Sequence, residues 1–511
     1  MSINHRPADN RFSAGSRRLE ANHCMGVSRR RVLSSLAGGF GWMAAQTLLL
    51  RDANADDPVA SDSATRPATG SRPTPHHPPK AKAVIQIFCP GGMSQVDTFD
   101  YKPELIRRAG TPFDPDGKLE FFASKPGNCR PSFWDFQQHG ESGLWLSGLF
   151  PKLSRCVDDI AFIYSMQSKT ALHGPGCFMM NTGFTTPGFP SMGSWVTYGL
   201  GRESENLPAF VVLPDSRGLP PGGSINWGSG FLPAVYQATT FNIHSGGHPI
   251  EDLFPPGDFG TTDRGADRAD LELLQMLNRR HLAARPENRD LEARISAYEM
   301  AAKLQLSAPQ VTDLDQETAA THELYGLGDD AIGPFGRQCL LARRLVEQGV
   351  RFVQIYCGAE NTTAKEIRPN WDSHEDVVRD HGYWGRILDT GASALLKDLK
   401  ARGLLDETLV MCTTEFGRQP AGQGEKATGR DHNASAFTAW MAGGGIRGGQ
   451  GYGATDELGF KAVESPTYCY DLHATALHLL GIDHTRLTHY HNGIQRRLTD
   501  VHGEIIHEIL A

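Results

Sequence analysis

Four short polar clusters in this 511-residue chain combine carboxylates, histidines and glycines. They are Gly91-Gly92-Met93-Ser94-Gln95-Val96-Asp97, Asn370-Trp371-Asp372-Ser373-His374, Thr413-Thr414-Glu415-Phe416-Gly417-Arg418 and Gly429-Arg430-Asp431-His432-Asn433. Carboxylate oxygens with imidazole nitrogens make a mixed donor set suited to a divalent cation. Histidines favour zinc; manganese, magnesium or calcium suit the oxygens. Such an ion polarises an ester oxygen or lowers the pKa of a bound water. Any one cluster alone reads equally well as a loop cap or an ion pair.

Those clusters need elements to carry them. Short apolar runs rich in β-branched and aromatic residues stand at 83–89, 160–164, 209–213, 351–356 and 408–413. Helical patterns over 266–304, 338–348, 384–402 and 471–480 separate or follow them. Alternation of this kind predicts an α/β fold with a mostly parallel sheet and helices on both faces. In such sheets ligands bind beyond the carboxyl ends of the strands, where three of the clusters fall. Residues 103–150 (Pro, Phe, Trp and Gly) and 215–345 (a Gly/Pro loop, then charged helix) break the alternation and read as capping insertions.

At the front, Ser28-Arg29-Arg30-Arg31-Val32-Leu33 precedes an apolar stretch from Leu36 to Leu50 and then Ala53-Asn54-Ala55. This is the pattern of a twin-arginine secretory leader over residues 1–55. The apolar stretch is short of the roughly 20 residues that span a bilayer. The expectation is export of a folded chain to the periplasm or cell surface, not an integral membrane protein once the leader is cleaved. Residues 56–82 hold too little apolar surface to offset their ordering entropy and read as a disordered tether. About 430 residues then remain for a single large domain over 83–511. A net charge of -8 argues against nucleic acid as a partner. The nine cysteines show no paired spacing, and Cys89, Cys357 and Cys412 read as small buried hydrophobes. His473, His478, His484, His489 and His491 read as surface or interface histidines, and Gly443 to Gly449 as backbone turns without a P-loop's Lys-Ser/Thr.

The helix, turn and strand over Leu396–Val410, the late Asp431-His432 pair and the closing helix from Tyr470 to Gly481 resemble the sulfatase and alkaline phosphatase superfamily. The Gly91-Gly92-x-Ser94-x-x-Asp97, Trp371-Asp372-x-His374, Glu415-Phe416-Gly417-Arg418 and Gly429-Arg430-Asp431-His432 motifs, with the Arg-rich leader, are similar to one exported branch of it, the "domain of unknown function 1501" family. The resemblance covers roughly residues 83–510. It implies Asp372, His374 and His432 as ligands of one metal and Glu415 as a ligand of a second, with Asp97 a displaced substitute for the superfamily's Asp after the first strand. Three departures favour one metal over two. The pair is spaced Asp372-x-His374, Phe416 replaces a ligand His, and Pro90-Gly91-Gly92 replaces the first Asp.

The superfamily's nucleophile opens a helix that ends in a turn like Asn181-Thr182-Gly183, which points here to His173. His173 reads as nucleophile, general acid/base, metal ligand or helix cap; Ser94, Ser168 and Thr170 are nearby hydroxyls. Cys177 lacks the Cys-x-Pro-x-Arg context of a modified sulfatase cysteine. Arg418 and Arg430 are expected to neutralise non-bridging oxygens. The implied function is a metal-dependent hydrolase of an anionic sulfate or phosphate ester, with a sulfated polysaccharide as one substrate class. The alternatives are a non-catalytic protein of the same fold that binds an anionic polysaccharide or acts as a cell-surface scaffold, and a metal-dependent mutase or transferase of the same superfamily.

Overall fold

The computed structural model describes residues 74–114, 127–243, 250, 264–285, 289–360, 367–422 and 428–511. The leader and the first part of the tether lie outside the described residues. Eight strands form one sheet: β1 (Ala83–Phe88), β2 (Ile160–Met166), β3 (Phe210–Leu213), β4 (Thr239–Thr240), β5 (Phe352–Tyr356), β6 (Thr408–Thr413), β7 (Phe437–Ala442) and β8 (Gln450–Tyr452). Their order is β8-β2-β7-β6-β1-β5-β3-β4. β1 pairs in parallel with both β5 and β6, and β7 is antiparallel to both its neighbours. The fold is α/β, as the alternating apolar runs predict.

Residues alternate between the two faces of each strand, so a central strand must be apolar on both. In β1, Ile85 and Ile87 enter one core with α3 (Gly333–Glu347) and α4 (Val377–Ala401). Val84 and Phe88 enter a second core with α1 (His173–Thr182), α2 (Met192–Leu200) and α5 (Cys469–Leu479). Helices therefore cover both faces. Among the described residues no helix is long and apolar enough to cross a membrane. All eight described cysteines are buried thiols, Cys89, Cys357 and Cys412 among them.

Several boundaries differ from the expectation. The helical pattern over 266–304 is two helices, Arg264–Ala283 and Arg289–Thr312. Helix α3 overlaps the span read as an insertion, yet its Leu340, Leu341 and Leu345 are buried against the sheet. Leu146, Leu149 and Phe150 of the 103–150 region likewise enter the first core. The end of the segment read as a tether is held by backbone bonds: His76 donates to Gly481 at 2.8 Å, and Lys80 and Ala81 donate to Leu479 at 2.8 and 2.9 Å. His473 and His484 are buried rather than at the surface, because their stretch of chain packs on the second core. Burial lowers the His473 imidazole to about 4.

Candidate metal centre

The carboxyl ends of β1, β5 and β6 lie side by side. The loop after β5 returns across the end of β1. Trp371 donates its backbone N–H to Pro90 O at 3.0 Å and its indole N–H to Cys357 O at 3.1 Å, and Asp372 N–H donates to Asn370 Oδ1 at 3.0 Å. Gly91 makes this crossing feasible: its φ is +111°, and a Cβ there would lie 2.5 Å from the backbone nitrogens of Trp371 and Asp372. Gly429 does the same for the next segment, since its Cβ would fall on the carbonyl of His374. Arg430 N–H then donates to Ser373 O at 2.9 Å, which lays His432 beside His374.

Three imidazoles and one carboxylate converge there. His173, Asp372, His374 and His432 each offer a donor atom, and these atoms lie within 4.8 Å of one another. Asp372 Oδ1 is 2.9 Å from Nε2 of His374 and 3.3 Å from Nε2 of both His173 and His432. The two nitrogens of His374 and His432 are 2.9 Å apart.

The far sides of the rings explain which nitrogen faces inward. His432 Nδ1 lies 2.7 Å from Ala171 O, a group that only accepts, so Nδ1 carries the hydrogen and donates. His173 Nδ1 lies 2.6 Å from the Glu415 carboxylate, to which it donates in the same way. That turns the Nε2 atoms of both rings toward Asp372. Nε2 of His173 is shielded from solvent and makes no hydrogen bond. Imidazoles that ligate metals are held through the other ring nitrogen in this manner. An orphaned nitrogen pointing into a ring of donors fits a cation, so the donor set suits the single metal that the motifs imply.

Arg418 supports the carboxylate from below. Its fully buried guanidinium donates to Asp372 Oδ1 at 2.5 Å, Gly92 O at 2.8 Å, Arg430 O at 3.0 Å and Gly91 O. Burial opposes ionisation of Asp372, but Arg418 and the three imidazoles outweigh it and hold the carboxyl well below the usual range. Burial also lowers the His173 imidazole, yet Asp372 and Glu415 prevail and push it up to about 9. For His432, burial and then Arg418 dominate and bring it down to about 4.

The expected residues therefore divide. Asp372, His374, His432 and His173 come together, so His173 stands among the candidate ligands. Glu415 stands outside that group, on the other side of the His173 ring: it holds His173 and accepts from Gly91 N–H at 2.8 Å. Asp97 lies outside it as well. Its carboxylate takes Arg430 Nε at 2.7 Å, Nη2 at 3.2 Å and the Ser94 hydroxyl at 2.5 Å, all fully buried. Arg418 and Arg430, expected to face a substrate, are 0% exposed and spend their donors on the protein. Of the hydroxyls, Ser94 is committed to Asp97, and Thr170 accepts from Leu172 N–H. Sequence reasoning missed Arg368, whose side chain is 35% exposed, 3.5 Å from Asp372 Oδ2 and paired with Glu375 at 2.7 Å. Its spacing of four residues before Asp372 is the one signal that marks it.

Among curated proteins no sequence matches this chain. Several solved structures share a likeness. A crystal structure of Ps i-CgsB in complex with k-i-k-neocarrahexaose has 12% identity and a TM-score of 0.33, covering 80% of this chain and 72% of that one. An alkaline phosphatase from the Antarctic bacterium TAB5 has 11% identity and a TM-score of 0.32, covering 78% and 98%. A sulfatase from Pseudoalteromonas sp. has 12% identity and a TM-score of 0.29, covering 81% and 68%. A family model matches residues 81–510, nearly the whole domain described above, and the chain belongs to that family, "Protein of unknown function (DUF1501)".

Proposed function

We propose that the chain is an exported hydrolase of sulfate or phosphate esters, working with one divalent metal held by His173, Asp372, His374 and His432. The observation that carries this reading is the arrangement of the rings: two imidazoles are held through Nδ1 so that their Nε2 atoms meet at Asp372 Oδ1. Bound there, a divalent ion supplies Lewis acidity and a water of lowered pKa. With one carboxylate among its ligands the centre keeps net positive charge, which suits an anionic ester.

The remaining work falls to residues of the chain. Glu415 and Ala171 O orient two imidazoles, and Arg418 holds Asp372 ionised and in place. Arg368, the cation at the rim that faces solvent, binds a non-bridging oxygen of the ester. In this reading the attacking oxygen is that of water. The new bond joins that oxygen to sulfur or phosphorus, the bond to the alcohol oxygen breaks, and the alcohol leaves with a proton from the water. The twin-arginine leader favours the periplasm or cell surface as the place of action, with the ion inserted before export.

One observation favours a second reading. Four protein ligands complete a tetrahedron, which is the habit of structural zinc sites; catalytic ones keep a position open. A closed site makes the chain a non-catalytic binder or scaffold. Assay of the metal-loaded protein against aryl sulfates and aryl phosphates separates the two. Hydrolysis requires turnover that disappears in His374→Ala and a raised KM in Arg368→Ala. Stoichiometric metal without turnover on either ester overturns the hydrolase and leaves the closed site.

A further inference from the structure

A second place on the molecule has the features of a ligand site, and it lies in the aromatic-rich segment that the metal centre does not use. Phe99, Asp100, Tyr101, Leu144, Trp145 and Tyr164 line a cavity of about 370 Å³, within the size range of small-ligand pockets. Tyr101 and Trp145 stack with ring centroids 4.3 Å apart and planes at 26°, so that each ring covers one face of the other and holds it in place. Trp145 nonetheless stays 37% exposed, which leaves part of its ring open to a ligand.

The surface is built rather than accidental. Trp145 sits on a two-stranded hairpin, Phe136–His139 with Leu144–Ser147. The hairpin turn is clamped from below: the Asp158 carboxylate accepts from the backbone N–H groups of Glu141 and Ser142, both at 2.9 Å. Across the cavity, a Cβ on Gly451 would lie 2.5 Å from the Tyr164 ring, so a glycine at that point makes room for it. Rigid aromatic walls of this kind need little ordering when a ligand arrives.

Charge narrows the ligand. An aromatic cage with a carboxylate would suit a quaternary ammonium. Here Asp100 is already paired with Lys102 at 2.9 Å and accepts from the Thr455 hydroxyl, so the cavity presents no unspent negative charge. Tyr and Trp offer apolar faces with polar edges, which match a ligand having a C–H face and a hydroxyl rim. We infer that this cavity binds an uncharged pyranose unit of a carbohydrate chain. The residues that line this cavity are distinct from His173, Asp372, His374 and His432, so carbohydrate binding there needs no metal.

The test is calorimetric titration of the mature protein with neutral hexasaccharides of β-1,4-glucose, α-1,4-glucose and unsulfated galactan, and with choline as a control. The expected result is saturable binding of at least one saccharide. It should weaken at least tenfold in Trp145→Ala and in Tyr101→Phe/Trp145→Ala, and stay unchanged in His374→Ala. A thermal unfolding curve for each variant separates lost binding from lost fold. Saturation by choline, binding unchanged in Trp145→Ala, or no binding of any saccharide overturns the inference. Because His374→Ala is expected to bind sugar normally, this result stands or falls separately from that of the ester assay.

Discussion

Two carboxylates at the mouth of the sheet, Asp372 and Asp97, show what separates a ligand from a prop. Each follows a strand, each lies in a motif with glycine or histidine, and each meets an arginine. Asp97 is sealed, with both oxygens taken by Arg430 and Ser94 and no exposure. Asp372 meets Arg418 on one side and three imidazole nitrogens on the other, and keeps partial exposure. Guanidinium and hydroxyl donors satisfy a carboxylate and close it to a cation. Three imidazole nitrogens gathered at one carboxylate oxygen, by contrast, form a donor set that a cation could occupy, and the proposed metal site rests on that difference.

The comparison can be broken at either carboxylate. Arg430→Met strands a buried Asp97 charge, and removing one partner of a buried pair costs about 3–5 kcal/mol. Urea unfolding should show that loss while metal stoichiometry in the folded fraction stays at one. Asp372→Asn also strands a buried partner, Arg418, at a cost on the same scale of about 3–5 kcal/mol, so metal content is the discriminating readout: it should drop below a tenth of an equivalent. If both variants lose metal equally, the two sites are not distinct.

A smaller effect is expected one step out from the ligands. Glu415→Gln keeps the shape but weakens the hold on His173, and such supporting contacts are worth about 10–100-fold in metal affinity. Competition with a chromogenic chelator measures it; an unchanged affinity would remove Glu415 from the site.

The smallest effect is protonic. The folded pKa of His173 without metal, about 9, stands above the ordinary imidazole value of 6.5, so protonation of His173 stabilises the metal-free fold. That contribution is fully present below pH 6.5 and is lost as pH rises through about 9. A cation needs the same Nε2 lone pair, so binding near pH 7 should release about one proton per ion, with affinity rising toward pH 9. His432, already lowered to about 4, contributes none in that range. Calorimetry in buffers of different ionisation enthalpy counts the protons; a count of zero contradicts the charge state given to His173.

The strands were legible because their apolar runs had to be buried on both faces, and the strand ends marked where Asp372, His374 and His432 would stand. His173 was found through a resemblance to a nucleophile position, with a ligand role left open beside three others. What stayed hidden was partner identity. Nothing in the local spacing says that Arg430 turns inward to Asp97, that Arg418 spends its donors on Gly91, Gly92 and Arg430, or that Glu415 lies behind His173. Those are contacts between residues more than forty positions apart, apart from Arg418 with Arg430, and they depend on how the loops cross. The same holds for His76 and Lys80, whose polar, proline-rich segment looked unable to order until the carbonyls of Leu479 and Gly481 were placed beside it.

The central claim is a single cation held by three imidazoles and one carboxylate. X-ray absorption of the purified mature protein, after metal reconstitution and removal of excess ion, tests it most directly. One equivalent of a divalent metal, in a shell of three imidazole nitrogens plus oxygen that loses one imidazole in His374→Ala, is the predicted result. A protein that takes up no metal, or one whose metal is bound through sulfur, would contradict it.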